Sequence, residues 1–313
     1  MPAEILTLTL NPAVDLSTSV ARVLPQAKLR CKTVRRDPGG GGVNVARVLK
    51  RFGIDASAIY PTGSSTGELL ARGMLHENIK SIAIPIAGET REDFTVTETD
   101  TGNQFRFVMP GPALVQTEWT ACLDAMERAT PTPEIVVASG SLPPGVPPDF
   151  YARAARTAKR LGAKIVLDTS EIALREALKE GVWLIKPNLN ELNELTHCEL
   201  RDEAARIQAA RELIKRAAAE IVALSMAEEG ALLITRDRVL RARAPAIKPV
   251  STVGAGDSFL GGMVWRLALG HDLSDALTHG VAAGTAALLS PGTELCHPDT
   301  VQALLPQVSI EKI

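Results

Sequence analysis

The sequence predicts an α/β protein, with a mainly parallel central sheet between two helical layers and a small β-sheet lid. Two observations carry this. Short apolar runs alternate with segments of helical period along most of the chain, as a parallel sheet covered on both faces requires. Two stretches then break the rhythm with apolar/polar alternation around a turn, which suits a small inserted sheet.

The elements follow in order. Residues 5–10 (ILTLTL) read as a buried strand that Asn11-Pro12 ends. Residues 16–33 show no helical period. Residues 43–52 (VNVARVLKRF) have helical spacing and stop at Gly53. Residues 56–60 form a second short run, and 68–78 are again helical. Residues 94–99 and 104–108 alternate around Asp100-Thr101-Gly102-Asn103, a hairpin with turn chemistry. Residues 135–138, 164–167, 184–186 and 221–225 are strand-like, separated by helical patterns at 148–161, 171–180 and 201–218. The C-terminal third is expected to be helical, with helices at 257–269 and 274–289. The prolines at 131–133 and 143–148 punctuate loops and do not mark linkers. Residues 1–313 therefore read as one domain, with the lid built from about 12–36 and 88–110.

Composition narrows the partners. Lys plus Arg is 34 against Asp plus Glu at 36, a net charge of −2, so no global basic excess favours nucleic acid. A 45% hydrophobic content excludes whole-chain disorder. No apolar window is long enough to span a membrane, and no secretory signal pattern opens the chain. Cys31, Cys122, Cys198 and Cys296 form no C-x-x-C pair, so they are expected to be reduced cysteines of a cytoplasmic protein.

The strongest chemical feature is Ser251-Thr252-Val253-Gly254-Ala255-Gly256-Asp257, leading into an apolar helix. Glycines let backbone approach a ligand, and a helix start offers free N–H groups to an anion. Asp257 could take a proton from an attacking hydroxyl there, or could simply cap the helix. Gly39-Gly40-Gly41-Gly42-Val43-Asn44 is a second glycine run before a helix. It suits close approach of a polar ligand, or a flexible turn. Lys186-Pro187-Asn188 with Glu191 follows a strand; Asn188 and Glu191 share a helix face and could hold hydrated Mg²⁺, or could form a cap. Asp15, Lys28, Arg30, Arg91 and Arg106 scatter charge about the lid, and arginines suit phosphate. No G-x-x-x-x-G-K-[ST] loop occurs, and Phe259 stands where a dinucleotide fingerprint needs glycine.

These motifs resemble the ribokinase-like sugar kinases, in their phosphofructokinase B branch. The stretches that carry the resemblance are TLTLNPAVDL, LRC, GGGGVNVARVL, QFRFVMPG, SGSLPPGV, KPNLNEL and STVGAGDSFLGG, nearly end to end. Within the branch the chain is most similar to the 6-phosphofructokinases, which share LRC, the all-glycine run and the RFVMPG strand. The resemblance implies an ATP-dependent kinase acting on a sugar phosphate, foremost fructose 6-phosphate to fructose 1,6-bisphosphate. Fructose 1-phosphate and tagatose 6-phosphate kinases, and a non-catalytic sensor on the same fold, are the alternatives. It implies Asp257 as the base, with Gly254, Ala255 and Gly256 forming the anion hole. It assigns sugar hydroxyls to Asp15, Gly39, Gly40, Gly41 and Asn44, and the sugar's phosphate to Lys28, Arg30, Arg91, Arg106 and Ser139. It places Lys186, Asn188, Ser225, Gly230, Thr252, Ala283 and Ser290 near the nucleotide. Glu191 and Asn188 would serve Mg²⁺, and Ser251 and Val253 a monovalent cation such as K⁺. Homodimers through the lid are also implied. Two departures stand out: Ala227 in SMAEEG replaces a glycine of the family's S-x-G-x-x-G, with Glu228 and Glu229 adding negative charge, and Glu294 occupies a position where the closest relatives tend to carry arginine or another residue.

Overall fold

The computed structural model describes residues 2–32 and 34–313. Thr33, within the expected 12–36 segment, lies outside the described residues. The first half of the chain runs β1 (Ile5–Leu8), β2 (Ala13–Val20), β3 (Arg35–Gly39), α1 (Gly41–Arg51), β4 (Ala56–Thr62), α2 (Ser64–His76), β5 (Lys80–Pro85), β6 (Arg91–Glu98), β7 (Gln104–Phe107), α3 (Gln116–Glu127) and β8 (Ile135–Ser139). It continues through α4 (Phe150–Arg160), β9 (Lys164–Asp168), α5 (Glu171–Leu178), β10 (Val182–Ile185), α6 (Leu189–Thr196), α7 (Glu203–Lys215) and β11 (Ala219–Ser225). The last part holds β12 (Ala231–Ile234), β13 (Val239–Arg243), α8 (Ala255–Ala268), α9 (Leu273–Leu288), α10 (Pro298–Leu304) and β14 (Ser309–Lys312).

Among the described residues, ten strands form one sheet in the order β14-β13-β12-β11-β10-β9-β8-β1-β4-β5. The strands from β11 to β5 are parallel, and β12 to β14 add an antiparallel edge. The parallel strands are apolar on both faces because helices cover both. Alternation along them sorts the side chains: Leu6 and Leu8 join the core beneath α3 to α7, and Ile5 joins the core beneath α1, α2, α8 and α9. Val136 and Val137 divide in the same way. Close contact lets α8 and α9 pack: a Cβ on Gly262 would sit 2.8 Å from the Ala283 Cβ.

The chain leaves β1 toward β4 and β5 on one side, and β8 to β11 extend the sheet on the other. Such a reversal opens a crevice beyond the carboxyl ends of the strands, where open α/β sheets hold their ligands. The second sheet, β3-β2-β6-β7, stands at this crevice. Its first two strands precede α1, and its last two form the expected hairpin.

The C-terminal third is not wholly helical as expected. The runs at 231–234 and 239–243 are too short to support a stable helix alone, and they pair with β11 and β14. α1 also begins inside the glycine run, with Gly40 (φ 105°) as its N-cap.

Candidate active site

Two cavities lie side by side at the crevice, and the start of α8 is the wall between them. The smaller, about 290 Å³, is lined by Asp15, Gly40, Gly41, Asn44, Arg91, Arg106, Ser139, Glu191, Val253, Gly254 and Asp257. The larger, about 640 Å³, is lined by Asn188, Ser225, Gly230, Thr252, Ala255 and Gly256 together with apolar side chains. Gly254 takes a left-handed φ of 74° as the N-cap of α8. The first N–H groups of a helix have no partner within it, so those of Ala255, Gly256 and Asp257 are free to meet an anion.

Asp257 sits in that first turn. Its Oδ2 accepts a 2.8 Å hydrogen bond from Asn44 Nδ2 on α1. Burial, and then the Asp168 carboxylate, push its pKa up to about 6, while Asn44, Lys186 and Arg106 pull it back. A carboxyl poised there accepts protons near neutrality.

The lid sheet presents a row of carboxylates. Strand register sets Asp37, Asp15 and Asp93 side by side across β3, β2 and β6. Asp37 pairs with Arg35 at 2.7 Å and Asp93 with Arg91 at 3.0 Å. Asp15 makes no direct ion pair among the described residues, and burial plus Asp93 push it up to about 7. A Cβ on Gly39 would lie 2.5 Å from the Asp15 carboxylate, so Gly39 makes room for Asp15 and does not line the cavity. A Cβ on Gly41 would meet Ser139 Oγ at 2.1 Å, which explains why backbone approaches β8 so closely. Arg91 spends its Nη atoms on Asp93 and on the Asn11 and Met109 carbonyls. Arg106 makes no ion pair among the described residues and faces the cavity.

Lys186 is buried and lines neither cavity; its Nζ lies 3.0 Å from Oδ1 of Asp168, which lines the smaller one, and 3.6 Å from where a Cβ on Gly256 would sit. Burial opposes its charge, but Asp168, Glu191 and Asp257 hold it above the usual lysine range. Asn188 and Glu191 form a capping box at the start of α6: Asn188 Oδ1 accepts from Glu191 N at 2.9 Å, and Glu191 Oε2 from Asn188 N at 2.8 Å. Burial raises the Glu191 pKa. Among the described residues no three His, Cys, Asp or Glu side chains gather to hold a metal. Ser251 Oγ donates to the Gly292 carbonyl at 2.6 Å, which sets the 251–253 loop beside the loop after α9.

Some expected residues lie elsewhere. Lys28 and Arg30 are exposed in the stretch after β2 and line neither cavity. Ala283 is fully buried against Gly262, and Ser290 Oγ donates to the Leu295 carbonyl. Gly284 and Thr285, on the adjacent helix face, line the larger cavity instead. Asp168 and Asp93 went unmarked by sequence. The signal for Asp168 is its place at the carboxyl end of a parallel strand; Asp93 needed the register of β2 and β6.

Residues 8–300 match the model of the pfkB family carbohydrate kinases. The chain is 44% identical, over 96% of its length and 88% of the relative's, to the ATP-dependent 6-phosphofructokinase isozyme 2 of Mycobacterium tuberculosis. It is 38% identical, over 98% and 99%, to the isozyme 2 enzyme of Escherichia coli. A crystal structure of Escherichia coli phosphofructokinase-2 in complex with substrates and products superposes with a TM-score of 0.93, at 37% identity, covering 97% of this chain and 99% of that one. The chain belongs to the pfkB family.

The two departures from the family pattern acquire a physical account. Glu229 turns away from the larger cavity to buried Arg206, 2.9 Å away, with Arg241 at 3.9 Å. Glu228 alone of the pair lines the cavity. Ala227 holds a left-handed φ of 50°, a conformation that glycine adopts freely and alanine does not. Glu294 pairs with Arg35 at 2.7 Å and with His297 at 2.6 Å, tying β3 to the loop after α9. Ala227→Gly should therefore raise stability by about 0.5–1 kcal/mol, relief of φ strain outweighing the added freedom of the unfolded chain. Urea unfolding measures it, and a lower midpoint would remove the strain account.

Proposed function

We propose that this pfkB-family chain transfers the γ-phosphoryl group of ATP to fructose 6-phosphate, giving fructose 1,6-bisphosphate and ADP. The observation that carries the reading is the place of Asp257, in the helix turn that separates a polar cavity from a larger, more apolar one. The polar cavity suits the sugar phosphate: Asp15, Asn44 and the backbone at Gly40 and Gly41 take hydroxyls, and Arg106 with Ser139 takes the phosphate, Arg91 adding its charge to the same wall while its Nη atoms stay on Asp93 and two backbone carbonyls. The larger cavity suits the nucleotide, against Ser225, Gly230 and Thr252, with Lys186 and Asn188 toward its phosphates. The likeness to 6-phosphofructokinases supports the choice of sugar.

Asp257 removes the hydroxyl proton as that oxygen bonds to the γ-phosphorus. The bond from phosphorus to the bridging oxygen breaks, and ADP departs with its electrons. The free N–H groups at the start of α8 receive the charge on the transferring group. Mg²⁺, when bound with ATP, neutralises phosphate charge; one or two carboxylates suffice for an ion that keeps most of its waters, which suits Glu191 beside Asn188. We assign K⁺ to the Ser251–Val253 loop, which the Ser251 hydroxyl ties to the Gly292 carbonyl.

The lid supports a homodimer. Phe94, Phe105 and Phe107 share the face opposite Thr95 and Arg106, and Phe107 is 50% exposed. Paired with a second copy, this apolar face would leave water, and each lid would be braced over its own cavity. Four unpaired cysteines suit a reducing cytoplasm.

ADP release with fructose 6-phosphate, fructose 1-phosphate and tagatose 6-phosphate tests the assignment; a tenfold or greater kcat/KM advantage for the first is expected, and a preference for another sugar would replace it. Arg106→Ala should raise KM for the sugar phosphate roughly tenfold or more while leaving KM for ATP nearly constant; equal effects would remove Arg106 from the acceptor site. Asp257→Asn should lower kcat by about 10³-fold or more with ATP still bound. Because the base must be deprotonated, wild-type kcat/KM should fall as pH drops through about 6; a flat profile down to pH 5 would argue against a carboxylate base with this raised pKa. Phe107→Asp should convert dimer to monomer in sedimentation, and an unchanged sedimentation coefficient would place the interface elsewhere.

A further inference from the structure

We infer that Arg47 is a positioning residue for Asp257, acting through the side-chain amide of Asn44; this rests on Asp257 being the base. Arg47 is fully buried on α1, three residues from Asn44 and on the same helix face. Its Nη1 donates to Asn44 Oδ1 at 3.3 Å and to the Pro38 carbonyl at 2.7 Å. Its Nε and Nη2 donate to Glu77 Oε1, at 2.9 and 2.6 Å. Asp37 Oδ1 lies 3.4 Å from Nη2.

A guanidinium has donors and no acceptor, so it must face the oxygen of the amide. The amide nitrogen of Asn44 is then directed the other way, onto Asp257 Oδ2. With the amide reversed, nitrogen would face the guanidinium and oxygen would face the carboxylate, repulsive at both ends. Without Arg47, the amide of Asn44 would be held only by its one hydrogen bond to Asp257 and could turn away from it. Arg47 thus selects the orientation that holds the carboxylate in line and favours its charged form. Glu77 and Asp37 fix Arg47 in turn, so the line runs from α2 to the base.

Other charges also face Asp257: Asp168 at the end of β9, Lys186 after β10 and Arg106 on β7. Asp15, Asp93, Arg91 and Glu191 share its cavity wall. Among the described residues, Asn44 is the group that hydrogen-bonds the Asp257 side chain. The orientation of that one amide is therefore the term Arg47 controls.

The test is the acid limb of kcat/KM in Arg47→Met combined with Glu77→Gln, which leaves no carboxylate of α2 without its cation. The limb should move up by about one pH unit, and kcat/KM at pH 6 should fall roughly fivefold, with KM for ATP unchanged. Arg47→Lys keeps the charge but lacks the fork that spans Pro38, Glu77 and Asn44 together, and should shift the limb in the same direction. It supplies the answer if the double variant does not fold. A folded variant whose limb and kcat match wild type would overturn the inference and leave Arg47 a brace of the fold. Asp257→Asn separates the two readings: turnover retained there removes the base itself, whereas a dead Asp257→Asn beside an unshifted Arg47 limb removes only the role of Arg47.

Discussion

A guanidinium sealed from water organises this molecule. Arg47 has no exposed surface, and a buried charge left without partners is strongly destabilising, by about 3–5 kcal/mol when one partner is lost. Its partners come from three places: Asp37 and the Pro38 carbonyl at the end of β3, Glu77 after α2, and Asn44 one turn back on α1. Asp37 is also held by Arg35 and by Thr293 Oγ1 at 2.8 Å, which brings in the loop after α9. The lid sheet, the glycine run and the C-terminal helices are therefore pinned to one another behind the site.

The site inherits its geometry from that pinning. β2 pairs with both β3 and β6, so Asp15 stands beside Asp37 and Asp93, and burial together with the neighbouring Asp93 carboxylate pushes Asp15 toward its neutral form. Gly39 leaves the space that Asp15 occupies. On the opposite wall, the parallel strands deliver Ser139, Asp168 and Lys186 from their carboxyl ends. Between these walls α8 begins, its free N–H groups and Asp257 aimed at the junction of the two cavities. Phosphoryl transfer depends mostly on placement and fixed charge, and this arrangement supplies both.

The departures from the family pattern show how a local change is absorbed. Glu229 finds Arg206 and Arg241, Glu294 finds Arg35, and neither is left facing a polyanion unpaired. Ala227 keeps the left-handed turn between β11 and β12.

By itself the sequence determined the alternating α/β plan, the parallel strands, the 94–108 hairpin and the three motif loops, because each rests on neighbours within a few residues. The period of apolar positions, turn chemistry and glycine runs are local signals. The antiparallel edge of β12 to β14 escaped it, since such short apolar strands declare themselves only once paired. The inclusion of Asp168 and Asp93 in the site, and the exclusion of Ala283, Ser290, Lys28 and Arg30 from the cavity walls, were likewise decided by the tertiary structure. So was the role of Arg47, whose partners lie up to 30 residues away. Register, helix facing and the burial of a charge are relations between distant segments, and only the packed fold brings those segments together.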